Sequence, residues 1–257
     1  MAVRMRLSRL RWAVLVQLAK SWWLGLAVPV SRIIRVFRLN SKLVYMFLEE
    51  LEGEGVAERV GRGWWRLRDR ARARALAEYV LSSLEDTGYG YWQTAVPEVF
   101  YYVAEPPSIE WLGYPGRTLT IVDEALKGRL SPPKGYLVVY TSMRGRAWRY
   151  DWDSRVARAE AEQALADLLS YDPDYPVEQY LLNNLDSVDL DEVARRATLE
   201  GLKRLSTFLA FLRVAAGKPI PVGLDYLVLA DPGVLRERLG EYTALVFANG
   251  IDVARGV

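Results

Sequence analysis

The sequence predicts an α+β chain. A small basic N-terminal part holds three helices and a β-hairpin. An α/β body with a small sheet and a helical C-terminal part follows. Three observations lead there. Apolar residues recur at helical spacing from Leu7 to Leu51. Two short β-prone runs, about 56–60 and 64–68, flank the turn Gly61-Arg62-Gly63. Strand-like runs between 118 and 151 then give way to helical periodicity from about residue 159 onward. Of the 257 residues, 51% are hydrophobic and 26% charged, the mix of a folded chain rather than a disordered one.

Composition removes whole classes of chemistry. The chain has no cysteine, which excludes disulfides, thiolate metal sites and cysteine nucleophiles. It has no histidine, so His-dependent triads and the commonest transition-metal ligand are absent as well. Neither a cofactor nor a metal is expected, and the chain is read as a non-enzyme. The formal net charge of +2 hides an asymmetry. Residues 1–80 carry 16 basic and 7 acidic side chains, and the remainder carries 18 and 25. A basic first third on an acidic body points to a polyanion-binding module. Arginine outnumbers lysine, 28 to 6, which suits phosphate contact through the guanidinium fork.

Each N-terminal segment follows from its pattern. Leu7, Leu10, Val14, Leu15 and Leu18 form one stripe of a helix over about 7–20. Gln17 and Lys20 interrupt the apolar run from Trp12 to Val30, so it reads as a buried helix rather than a leader or a membrane span. The expected setting is cytoplasmic, with no membrane partner. Gly25 and Pro29 break the helix, and 26–30 suits one short strand. Ser31 is the expected N-cap of a second helix carrying Ile33, Ile34 and Phe37. Asn40 or Ser41 caps a third helix to about Glu52, with Val44, Phe47, Leu48 and Leu51 inward. Trp65 and Leu67 should face in, and Arg66 and Arg68 out.

That order, carried by "NSKLVYMFLEELEGEGVAERVGRGWWRL", resembles the winged helix-turn-helix superfamily of transcription regulators. The resemblance covers residues 1–70. It implies that the third helix enters the major groove by its N-terminal end and that the hairpin forms a wing. The outward residues at that end are Asn40, Ser41, Lys42 and Tyr45. Arg32, Arg35 and Arg38 flank the helix from the preceding segment, Arg62 tips the wing, and Arg66 lies on its return strand. These nine residues are the expected DNA-binding set, and double-stranded DNA is the expected partner. Trp64 and Trp65 read as core and rim packing rather than base-stacking groups.

A linking helix is expected over 71–87, with Arg70, Arg72 and Arg74 at its basic start and Asp86-Thr87-Gly88 at its end. The third region, 88–257, opens on an aromatic stretch holding Tyr89, Tyr91, Trp92, Phe100, Tyr101 and Tyr102, read as core packing. Strands are expected at 118–122, 136–140 and 147–151, and a short helix over 123–130. Further helices fall near 160–170, 177–184, after Asp189, at 202–216 and at 232–239, with a strand at Leu227–Leu229. The segments "GYLVVYTSMRGRAWRY" and "VARAEAEQALADLLSYDPDYPVEQYLLNNLDSVDLDEVARRATLEGLKRLSTFLAFLRVAAG" resemble the C-terminal domain of AbiEi-type antitoxins of type IV toxin–antitoxin systems. The positions that carry it are Glu162, Ala164, Leu165, Asp167, Leu168, Leu169, Leu185, Asp186 and Gly217. This resemblance implies an autorepressing DNA binder encoded beside a nucleotidyltransferase-type toxin; the acidic body is expected to support regulation or dimerisation, as a homodimer.

Two alternatives stay open. One is a nucleic-acid-processing enzyme, nucleotidyltransferase-like, in which Asp151 and Asp153 hold Mg²⁺; the nucleotide loop such chemistry needs upstream is poorly matched by Thr141–Gly145. The other is a winged-helix adaptor that binds only protein. Gly217-Lys218 fails as a phosphate loop, because Leu212 and Pro219 stand where glycine and Ser/Thr are needed.

Overall fold

The computed structural model describes residues 8–84, 90–105, 118–132, 134–215, 217–218 and 229–251. The chain mixes helices with two sheets and divides into two compact units. Unit 1 comprises Met1–Val103 and Thr120–Arg158; unit 2 comprises Ala104–Leu119 and Ala159–Val257. The expected divisions at 70 and 87 do not coincide with these. The linking helix and most of the strands lie in the same unit as the N-terminal helices.

In unit 1, α1 (Arg9–Trp23) begins at Ser8, whose hydroxyl accepts from the Arg11 amide. Every residue from Ala13 to Ser21 is buried, so α1 is a core helix and not a one-sided surface helix. It packs against α2 (Val30–Phe37), α3 (Ser41–Gly53) and α4 (Ala71–Ser82). The expected cap Ser31 lies inside α2, and Pro29 holds the N-cap position instead. Pro29 is still in β1 (Val28–Pro29), so the chain passes from strand to helix with no room for a polar cap. Strands β2 (Ala57–Gly61) and β3 (Trp64–Leu67) form the hairpin, and β1 adds to β3 in the antiparallel order β1-β3-β2.

A short helix, α5 (Tyr91–Ala95), leads into a five-stranded sheet of order β6-β5-β4-β8-β7. Its strands are β4 (Tyr101–Val103), β5 (Leu119–Asp123), β6 (Leu137–Thr141), β7 (Trp148–Asp151) and β8 (Val156–Ala159). Three of them match the expected runs. Strand β4 sits at the centre with β8 beside it, and neither is legible in the sequence, being short and stabilised by pairing with distant sequence. Of the described members of the aromatic stretch, Trp92, Phe100, Tyr101 and Tyr102 are buried in the core as expected, whereas Tyr91 is half-buried. Tyr89, the 86–88 helix stop and most of the 227–229 strand lie outside the described residues. The helix expected over 123–130 is a single 3₁₀ turn, Glu124–Leu126, capped by Asp123.

The core of unit 1 contains an ion pair. Lys20 Nζ lies 2.5 Å from Glu98 Oε1, and Gln17 Nε2 donates to Glu98 Oε2. Burial pushes the Lys20 ammonium down from its ordinary pKa, opposed by the neighbouring carboxylate.

Unit 2 carries five helices among its described residues: α6 (Ala161–Tyr171), α7 (Val177–Asn183), α8 (Leu190–Arg196), α9 (Leu199–Ala215) and α10 (Pro232–Ala248). Asp189 caps α8 as expected, accepting from the Glu192 amide at 2.9 Å. The apolar helix α9 packs on α6, α10 and, through Arg204, the start of α7. Arg204 makes two bonds to Glu178, at 2.6 and 2.7 Å, and two to the carbonyls of Asp172 and Tyr175. Such a buried guanidinium is tolerated because its donors are matched.

Candidate nucleic-acid interface

The geometry of the site is set by the turn between α2 and α3. Burial of Ile33, Val36 and Phe37 anchors α2, and Arg38 then takes a left-handed backbone with φ 52°. The Leu39 amide closes back on the Ile34 carbonyl at 2.9 Å. Asn40 caps α3, its side-chain oxygen accepting from the Leu43 amide at 3.2 Å. Val44, Phe47, Leu48 and Leu51 then bury one stripe of α3. The opposite face is left to solvent.

Ser41, Lys42 and Tyr45 are exposed on the N-terminal half of that free face, beside the exposed cap Asn40. Free amides at a helix N-terminus add partial positive charge to this end. The acidic side chains lie toward its C-terminal half: Glu49 is exposed on the same stripe as Lys42 and Tyr45, one to two turns further along. Glu50 is paired with Arg11 at 3.1 Å, and Glu54 with Arg72 at 2.8 Å. Arg62 is exposed at the hairpin tip, where Gly63 takes the positive φ of 76° that the turn requires. Trp65 and Leu67 are buried beneath the hairpin, whereas Trp64 is 42% exposed at its edge.

The arginines expected to flank the helix divide into two sets. Arg38 is exposed. Arg32 turns inward: its Nη1 lies 2.5 Å from Asp123 Oδ2 and it sits over the Phe100 ring, so its charge is spent within unit 1. Arg35 is exposed like Arg38, although its guanidinium stacks over the Trp148 ring at 4.3 Å. Burial, and then the charge of Arg32, pull its pKa down from the ordinary guanidinium value. Arg66 is exposed but bonded to Glu58 at 2.7 Å. The basic start of α4 is similarly engaged, Arg72 with Glu54 and Arg74 with Asp69. Periodicity correctly indicates which residues face outward, but it carries no information about an acid placed opposite by distant sequence.

Three apolar side chains on this face received no firm assignment from sequence. Leu43 and Met46 on α3 are 51% and 53% exposed, and Val60 on β2 is 45% exposed. For Leu43 and Met46 the sequence signal is the continuous apolar run Leu43–Leu48, too rich for one buried stripe.

Asp151 is committed to its own loop. One carboxylate oxygen accepts from Ser154 Oγ at 2.6 Å and lies 3.4 Å from Arg158; the other accepts from the Asp153 amide. Partial burial would raise its pKa, but these donors outweigh it and hold the carboxyl below the usual range. Among the described residues, no group of three or more acidic side chains is arranged to hold a metal ion. No described helix is long and apolar enough to cross a membrane. The chain matches no family model, no curated protein and no solved structure.

Proposed function

We propose that this chain is a DNA-binding transcription regulator whose residues 1–70 act as a winged helix-turn-helix. One observation supports this above the rest: the outward N-terminal half of α3 carries Ser41, Lys42 and Tyr45, while Glu50 and Glu54 pair with arginines at its other end. In this reading α3 enters the major groove, Arg62 meets a phosphate or the minor groove, and Arg38 flanks the helix. Arg32 and Arg35 serve instead to hold α2 against the sheet. The helical series α6–α9 is what supports the antitoxin version, in which the protein represses its own promoter and neutralises a nucleotidyltransferase-type toxin encoded beside it.

Fluorescence anisotropy of the full chain with duplex DNA, titrated across salt, tests the regulator reading. The expected slope is roughly −0.9 log units of affinity per log unit of salt for each phosphate neutralised. A flat or absent response refutes it. Leu43, Met46 and Trp64 favour a second reading, in which this face meets an apolar protein partner. That reading requires a partner complex insensitive to salt. Co-expression with the neighbouring gene product, followed by size-exclusion chromatography, tests the antitoxin version through formation of a stable complex.

A further inference from the structure

We infer that unit 1 holds a second site, a cleft of about 350 Å³ that binds a planar aromatic anion and reports its occupancy to α3. The regulatory half of this proposal rests on reading α3 as the DNA-contacting helix; the binding half does not.

Three rings wall the cleft. Trp12 on α1 lies 5.8 Å from Tyr150 and 5.7 Å from Trp152, and Tyr150 meets Trp152 edge-on at 4.9 Å. The rings border a space large enough for one more. A planar ring entering it gains stacking beyond simple area burial. Ligand pockets begin at about 300 Å³, so the cleft suits one or two fused rings, or a mononucleotide, and not a polymer.

Charge selects the sign of the ligand. Arg9 and Arg155 line the cleft, and the Arg9 guanidinium lies over Trp152 at 5.0 Å. Glu98 is the lining carboxylate, but both its oxygens are occupied, one by Lys20 and the other by Gln17. With that acid neutralised, Arg9 sets the sign, and its guanidinium fork matches a carboxylate or phosphate. Arg155 holds a left-handed backbone, φ 54°, in the loop after β7.

The same rings touch the turn that positions α3. Phe37 lies 4.7 Å from Tyr150 and 5.9 Å from Trp152. It is the last residue of α2, and Arg38 and Leu39 follow directly into the cap of α3. A ligand pressing on Trp152 or Tyr150 therefore presses on Phe37 and through it on the turn.

Isothermal titration of the full chain with indole-3-acetate and with AMP tests the site, with indole as the uncharged control. Single-site binding of at least one anion is expected, with Kd below about 1 mM. Arg9→Gln and Trp152→Leu should each weaken it by about tenfold or more, as should removal of the anionic group. The better probe tells a carboxylate ligand from a phosphate one. Arg9 is exposed on the first turn of α1, so Arg9→Gln retains the fold even if Trp152→Leu does not. Absence of saturable binding by both anions, affinity unchanged in Arg9→Gln, or equal affinity for indole overturns the site. Hydrogen exchange of residues 37–44 reads the coupling: slower exchange at saturating probe supports it, and unchanged exchange overturns it. No step uses DNA, so failure here and failure of the regulator reading are separable.

Discussion

If α3 and the hairpin contact DNA as proposed, their side chains divide into two roles that mutation can separate. Arg62 sits exposed at a hairpin tip and is expected to contact phosphate. Arg62→Ala should weaken binding to all duplexes alike and reduce the salt slope by about 0.9. Lys42→Ala should instead shift sequence preference, by about 1–3 kcal/mol at one base pair, in a competition assay over operator variants. Asn40 is a poorer probe, because it also caps α3; Asn40→Ala should lose about 1 kcal/mol of stability along with any base contact. Asn40→Ser retains capping capacity and separates the two roles. Lys20 belongs to the interior. Lys20→Met leaves Glu98 buried without its counter-charge, and urea denaturation should show a loss of about 3–5 kcal/mol. Adding Glu98→Leu should recover a large part of it, since an apolar pair of similar volume avoids the desolvation of both charges.

Helices and strands differ in how much of their formation is local. The helix α3 has its cap, apolar stripe and glycine stop written in adjacent residues. The helix α1 is legible as a helix, but the burial of Gln17 and Lys20 is not, because their partner Glu98 lies about eighty residues on. Contact between α6 and α9 is equally non-local. Gly201 on α9 lies so close to Ser170 on α6 that a Cβ would fall 2.5 Å from Ser170 Oγ and 3.0 Å from its backbone. Gly201→Ala should therefore destabilise unit 2 by about 1–3 kcal/mol in thermal unfolding. Ser170→Ala should not rescue it, since the backbone clash remains and the Ser170 hydroxyl that accepts from the Thr198 amide is lost. Pattern alone reads Gly201 as an ordinary weak point near a helix start.

At the level of the chain, unit 1 is discontinuous, and this bears on how the N-terminal part can be studied. Lys20, Arg32, Arg35 and Phe37 are completed by Glu98, Asp123, Trp148 and Tyr150. A fragment of residues 1–70 would expose this surface and leave Lys20 buried without its acid. Such a fragment should show no cooperative unfolding transition by circular dichroism, in contrast to the full chain. If it folds independently, the packing of α1 and α2 on the second sheet is dispensable.

Much was already present in the linear order of residues. Periodicity of 3.6, Gly-bounded turns and short-range caps placed α1 to α3, the hairpin, three of the five strands of the second sheet and the helices of unit 2, although the pattern predicts α10 only over 232–239 and it runs on to Ala248. These signals work because a helix or hairpin turn is formed by neighbours, so its causes lie within a few residues. The outward positions of Lys42, Tyr45 and Arg62 follow from the same local geometry. Long-range contact settled the rest. It drew Arg32 away from the candidate interface to Asp123, placed β4 at the centre of a sheet with β8 beside it, and gathered Trp12, Tyr150 and Trp152 around one cleft. A charge or ring takes its role from whatever stands opposite it, and in a folded chain that partner comes from a sequence distance no local pattern spans.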